Sequence, residues 1–236
     1  MTIVSKPTPE VTLQLLLSLQ GCNPGPLDGI IGPKTETALS VFQSSLSLPP
    51  CPAASALNEL QTGPALRSFP NNPGAQATAF GHTYLGLTES PPNSNKTQFG
   101  EWFGENGVAW CNIFLSFCFK QSSGIELCQG FSGSGVKPGK GCAYVPTTLA
   151  WLKAQNLLVA TEDMLPGDIV IHAWDHKTPE HISLCGGRID GNLFPSLEGN
   201  TSLASDSNGG EVLLRPRNTA YVLAVGRIPP LSPPVA

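Results

Sequence analysis

The sequence predicts an α+β fold, a helical lobe against an antiparallel sheet, preceded by a small three-helix bundle. Three observations carry that expectation. Helix-patterned segments come first and strand-patterned ones follow from Asp168, the order of an α+β rather than an alternating α/β architecture. The 236 residues include 25 Gly and 23 Pro, yet only 13% are charged and 40% are hydrophobic. Such a chain is rich in turns but too apolar and too weakly charged for disorder. Finally, residues 63–78 lose all periodicity and gain Pro, Gly and Asn, so they read as a linker between residues 1–62 and 79–236.

The first block opens with Thr8 as N-cap, Pro9 at the first helical position and Glu10 near the positive helix end, which predicts a helix over 9–20. Gln14, Ser18 and Gln20 interrupt its leucines, so it lacks the unbroken apolar run of an export signal. The expectation is synthesis in the cytoplasm without a signal peptide. Cys22–Ile31 is a tight loop of turn residues. Gly32-Pro33 starts a second helix with Ala38, Leu39, Phe42 and Leu46 as its apolar stripe, and Pro52 starts a third carrying Leu57 and Leu60.

In the second block, Trp110–Gln121 reads as a buried helix with Ile113, Phe114, Phe117 and Cys118 on its core face. A glycine-rich stretch (130–141) and a helix over Pro146–Gln155 follow. The segments DIVIHAW, HISLCGG, SLEGNTS, GEVLLRP and YVLAVGRI then read as strands. A net charge of −4 excludes nucleic acid and anionic membranes as the main partner. No stretch approaches the ~20 apolar residues of a membrane span. The expected state is a monomer.

Seven cysteines (Cys22, Cys51, Cys111, Cys118, Cys128, Cys142 and Cys185) include no C-x-x-C, so a zinc knuckle is not expected. Cys22–Cys51 or Cys128–Cys142 bridges are compatible with the sequence but not derivable from it. Most of the cysteines read as buried free thiols. Cys111 differs, because it sits at the start of an apolar helix, where free N–H groups favour a thiolate nucleophile. Four histidines compete to be its base. His82 reads as an upstream loop residue, His172 as one of an alternating strand, and His176 as part of the polar turn DHKTPE. His181 opens a strand straight after that turn. A His176/His181 metal pair with Asp175 has no third ligand placed by spacing. Glu198 and Asn200 are two apart, so on an extended strand they face the same way and either could hold the imidazole. Trp102, Phe103 and Trp110 line a substrate groove or belong to the core. Asp28 meets a glycan–peptide strand or shapes its loop.

Residues NSNKTQFGEWFGENGVAWCNIFLSFC, then PGDIV, EHISL and LEGNTS, resemble in that order the CHAP domain. These are cysteine- and histidine-dependent amidohydrolases and peptidases related to NlpC-type enzymes and, more distantly, papain. The resemblance covers residues 79–228. Residues 16–43, LLSLQGCNPGPLDGIIGPKTETALSVFQ, are similar to the small three-helix peptidoglycan-binding domain, departing from it at the end of the third helix. The pair is similar to phage endolysins and bacterial wall hydrolases.

The resemblance implies a papain-like fold, Cys111 as nucleophile, His181 as base, Glu198 as third member and Asn200 as a supporting fourth. It also implies bacterial peptidoglycan as the partner and an amide bond as the target, in the glycan–peptide junction or in the stem or cross-bridge. A bacterial toxin or wall-remodelling amidase with the same chemistry, or a non-catalytic wall-binding protein, are the other readings. No cofactor is required. Some CHAP domains bind calcium ahead of the cysteine, but only Glu89, Glu101 and Glu105 stand there without a D-x-D run, so no metal is expected.

Overall fold

The hydroxyl of Thr8 accepts the Val11 N–H at 3.3 Å and opens helix α1 (Pro9–Leu19), with Pro9 and Glu10 in its first turn. The structure is a computed structural model that describes residues 3–4, 6, 8–59, 69, 71–204 and 208–230. In it α1 is apolar almost all round because it is covered almost all round. Helices α2 (Pro33–Ser45), α3 (Ala53–Glu59) and α4 (Pro73–His82) all pack against it. Leu13, Leu15, Leu16, Leu17 and Leu19 are buried in consequence.

Helix α4 takes in residues 73–78 of the segment read as linker. Asn72 caps it by accepting the Ala75 N–H at 3.0 Å, and Pro73 takes the first turn. Its face is built from small residues rather than an apolar stripe, which is why periodicity did not show it. A Cβ on Gly81 would stand 3.0 Å from Cys118 Sγ, and one on Gly74 would collide with the Gly167 carbonyl. The rest of the expected linker (63–68 and 70), together with Leu60 of the third helix, lies outside the described residues. The two blocks share one apolar core, and Val4 bridges to Leu214 in the sheet.

Helices α5 (Gln98–Phe103), α6 (Cys111–Ser123) and α7 (Val145–Ala154) complete the helical side. A small hairpin, β1 (Val136–Lys137) and β2 (Gly141–Cys142), is tied to α6 by Ser116, whose hydroxyl accepts the Cys142 N–H at 3.0 Å and donates to its carbonyl at 2.8 Å. The main sheet has six antiparallel strands: β3 (Leu158–Val159), β4 (Ile169–His172), β5 (His181–Cys185), β6 (Leu193–Thr201), β7 (Glu211–Asn218) and β8 (Val222–Gly226). Their spatial order is β3-β8-β4-β5-β6-β7. Mixed helix and sheet with an antiparallel sheet agrees with the expected α+β class.

Period-two alternation sorts the strand residues between two cores. Ile169, Ile171, Ile182, Leu184 and Leu197 face the helices, whereas Val170, Cys185 and Phe194 join Met164 and Val225 in a smaller cluster. Where β6 meets α6 the chain needs glycine: a Cβ on Gly199 would stand 2.7 Å from both Phe114 and Trp110. No helix among the described residues is long and apolar enough to cross a membrane.

Candidate active site

Cys111 is the first residue of α6, and Trp110, the N-cap, provides no side-chain acceptor for the first-turn N–H groups. Thr8, Asn72 and Thr97 do cap α1, α4 and α5. The helix end that carries the thiol thus leaves its positive pole for another anion, as the ends of α2 and α7 without a side-chain cap also do. Burial is near complete at Cys111, which keeps 5% of its exposure.

His181 begins β5 and pairs across the sheet with His172 at the end of β4. Its Nε2–H donates to Glu198 Oε2 at 3.2 Å, which leaves Nδ1 for the Cys111 side. Nδ1 is buried without a hydrogen bond, and Cys111 acts on the His181 imidazole. Loose contacts of this kind tighten when substrate is bound. Burial alone would push the His181 pKa down, but the polar contacts and negative charges of Cys111 and Glu198 outweigh it and raise it to about 9.

Glu198 lies on β6, fully buried, and Arg217 of β7 clamps it with Nε on Oε1 at 2.6 Å and Nη2 on Oε2 at 2.7 Å. Burial opposes ionisation of Glu198, yet the hydrogen bonds and charges of His181 and Arg217 win and hold its pKa well below the usual carboxylate range. The Arg217 guanidinium also lies over the Trp174 ring, 4.6 Å from its centroid. Nothing in the local sequence around Arg217 marks it, because it meets Glu198 only through the pairing of β6 with β7. A second unexpected neighbour is His172. It is wholly buried, stacked on Trp174 and bonded through Nε2 to the Ser183 hydroxyl at 2.8 Å. Burial pushes its pKa down to about 3, so it stays neutral beside His181.

Asn200 departs from expectation. The same-face pairing with Glu198 requires unbroken alternation, but β6 carries a register shift between Glu198 and Thr201, with Asn200 at φ 58°. Its buried amide makes no hydrogen bond through either terminal atom. The aromatic residues divide. Phe103 and Trp110 are wholly buried, and the Trp110 indole donates to Glu89 at 3.0 Å, so the structure places both rings in the core rather than in a groove. Trp102 is half-buried, with Lys140 over its face at 4.7 Å. Glu89, considered above as a calcium ligand, is occupied by that indole and by the Asn95 N–H.

One histidine expectation changes as well. His82 is not in a loop but ends α4, buried, within 3.1 Å of the Thr12 hydroxyl on α1. His176 sits at φ 61° in its turn, stacked on Tyr221. Cys118 lies deep under α4, and burial pushes its thiol pKa well up.

In the N-terminal part Asp28 shapes its loop: Oδ1 accepts from Ile30 N at 2.9 Å and from Gln14 Nε2 at 3.2 Å. Gln14, buried on α1, also accepts from the N–H groups of Asp28 (3.1 Å) and Gly29 (2.8 Å). It is the organiser of the segment and was missed because a glutamine among leucines reads as a mere interruption.

Residues 11–50 match the family model described as a putative peptidoglycan-binding domain. The match covers α1 from Val11 onward, the Gln14-bound loop and α2, which makes peptidoglycan the supported partner and the cell wall the supported place of action. No curated protein and no solved structure matches the chain.

Proposed function

We propose that this protein is a peptidoglycan hydrolase that cleaves an amide bond with Cys111 as nucleophile, in the manner of CHAP-type, papain-like enzymes and phage endolysins. The observation that carries the reading is the buried line Cys111–His181–Glu198–Arg217, in which the imidazole stands between a thiol and an ionised carboxylate. A raised imidazole pKa favours the imidazolium that pairs with a thiolate. The match of residues 11–50 supplies the reason to place that chemistry on peptidoglycan.

The steps balance as acyl transfer. Cys111 Sγ attacks the amide carbon, and the resulting oxyanion is met by backbone N–H groups of the uncapped first turn of α6. His181 gives its proton to the leaving amine as the C–N bond breaks. It then takes a proton from water, which attacks the thioester and releases the acid and the free thiol. Glu198 stabilises the imidazolium and fixes the tautomer without itself being protonated. Arg217 is a positioning residue that keeps Glu198 charged and oriented.

The test is mass spectrometry of muropeptides released from purified walls by the wild-type protein and by Cys111→Ala. New soluble fragments with one free amine and one free carboxylate per cut, from the wild type alone, are expected. Walls left intact by the wild-type protein, or equal release by the variant, would sink the reading. The identity of the fragments distinguishes the glycan–peptide junction from the stem or cross-bridge.

A further inference from the structure

Away from that site, two other sulfurs meet. Cys128 follows α6 in a left-handed backbone conformation (φ 61°), and Cys142 closes β2. Both are fully buried, and each thiol shifts the titration of the other. The Thr148 hydroxyl contacts both sulfurs, with Cys128 Sγ at 3.7 Å. The backbones approach as well: a Cβ on Gly141 would stand 3.6 Å from the Leu127 carbonyl oxygen.

The two sulfurs are not equivalent. Cys142 Sγ accepts the Tyr144 N–H at 3.4 Å and donates to the Tyr144 carbonyl at 3.4 Å, with the Cys128 and Thr148 side chains acting on it as well. The Cys128 hydrogen bond is the largest of the influences that lower the Cys142 pKa against the effect of burial. The same bond, with burial behind it, holds Cys128 protonated. Among the described residues no three His, Cys, Asp or Glu side chains are grouped to hold a metal, which leaves thiol chemistry to the pair. Between the two cysteines runs a glycine-rich segment in which Gly130, Gly133 and Gly139 are exposed. Local opening of such a loop gives a small oxidant its route to buried sulfur.

We infer that Cys128 and Cys142 form a redox dithiol that closes to a disulfide by exchange with a low-molecular-weight disulfide, stapling loop 129–141 to the helix that carries Cys111. The Cys142 thiolate attacks one sulfur of the oxidant, forming a mixed disulfide and expelling one thiolate. Cys128 then loses its proton and attacks Cys142 Sγ. The Cys128–Cys142 bond forms, the mixed disulfide breaks, and the second small thiolate leaves and takes up the proton. Two protein thiols are oxidised and one small disulfide is reduced to two thiols. The staple reaches α6 because Ser116 holds the Cys142 backbone and Thr148 accepts the Asn112 amide at 2.7 Å, next to Cys111. The dithiol stays open in a reducing cytoplasm and closes outside it, where disulfides persist.

The test incubates the full-length protein with oxidised glutathione and reads intact mass, a cross-linked peptide map and melting temperature, none of which depends on hydrolase activity. The expected product has lost two hydrogens, carries one Cys128–Cys142 link, leaves Cys111 open to alkylation, and melts about 5–10 °C higher. Cys128→Ser should trap a glutathione adduct on Cys142, and Cys142→Ser should show at most about a tenth as much adduct on Cys128. Cys128→Ala repeats the first arm if serine disturbs folding. A bridge to any other cysteine, an unchanged thiol count, equal adducts in the two variants, or a bridged protein that melts no higher would overturn the proposal.

Discussion

The helices of residues 9–59 and the sheet of residues 158–226 both bury polar groups, but they treat them in opposite ways. Gln14 is neutral and meets partners through both ends of its amide, all of them in the Asp28–Ile30 loop or at Thr35. A satisfied neutral network of this kind fixes a shape and has no capacity left over. The Cys111, His181, Glu198 and Arg217 group is charged and dense, and His181 Nδ1 within it has no well-formed hydrogen bond. A reactant can complete that pattern. On the proposed reading one region presents a surface and the other holds a reaction, and substitutions at five residues separate the two.

The largest effect belongs to the nucleophile. Cys111→Ala should lower wall clearing by about 10⁴-fold or more with an unchanged circular dichroism spectrum. Iodoacetamide should label Cys111 before Cys118, which burial keeps protonated. Residual clearing above about one part in a hundred would move the chemistry elsewhere.

Next comes the clamp. Glu198→Gln or Arg217→Met breaks a buried ion pair, an effect of about 3–5 kcal/mol on stability. Urea unfolding measures it, and a loss below about 1 kcal/mol would mean that the pair is open to water. Arg217→Lys keeps the charge without the two-pronged fork and should fall between. The pH dependence has a definite sign. The folded His181 pKa of about 9 lies above its unfolded value of about 6.5. Its contribution is therefore complete below about 6.5 and is lost as pH rises toward 9. Glu198 is depressed when folded, so its contribution is present above about 4.3 and is lost as pH falls through its folded value. Glu198→Gln should lower the pH at which activity declines on the alkaline side. An unmoved limb would separate Glu198 from the His181 titration.

Gln14→Ala ranks third. It strands the Asp28 and Gly29 N–H groups, costing about 1–3 kcal/mol, and should weaken sedimentation with intact walls. Cleavage of soluble muropeptides should stay within about twofold, because binding to an insoluble surface and turnover are separable. An equal loss on both substrates would show that α1, packed on α4 through Thr12 and His82, transmits disorder into the sheet.

How far residues speak locally follows the same division. Thr8-Pro9 and Gly32-Pro33 announce their helices because capping and proline geometry act within one turn. Cys111 and His181 stand at the start of their elements as read, but the resemblance, not position alone, singled them out from the other cysteines and histidines. Arg217 was not, since its role exists only across the β6–β7 register. His172 hid in a strand whose four residues are all buried, where alternation no longer separates core from solvent. Helix α4 hid because glycine and alanine pack by being small. Phe103 and Trp110 look alike in sequence whether they face a groove or a core, and only the close approach of α5, α6 and β6 decides it.

The smallest effect tests the residue where the two regions' rules meet, a neutral amide like Gln14 placed beside the charged site. Asn200 holds a left-handed conformation (φ 58°) that glycine adopts freely, and its terminal oxygen and nitrogen are buried without hydrogen bonds. Asn200→Gly removes both unsatisfied atoms and the backbone strain, so stability should stay within about 1 kcal/mol of wild type. Asn200→Ala keeps the strain and should be the less stable of the two. If the amide waits for substrate, both variants should lose up to about tenfold in kcat/KM, the worth of one neutral hydrogen bond, while the alkaline limb set by His181 stays in place. If Asn200 instead only shapes the bulge, the glycine variant should keep full kcat/KM and the alanine variant alone should lose it. A shift of the alkaline limb in either variant would give Asn200 a share in orienting the imidazole and reduce the share of Glu198.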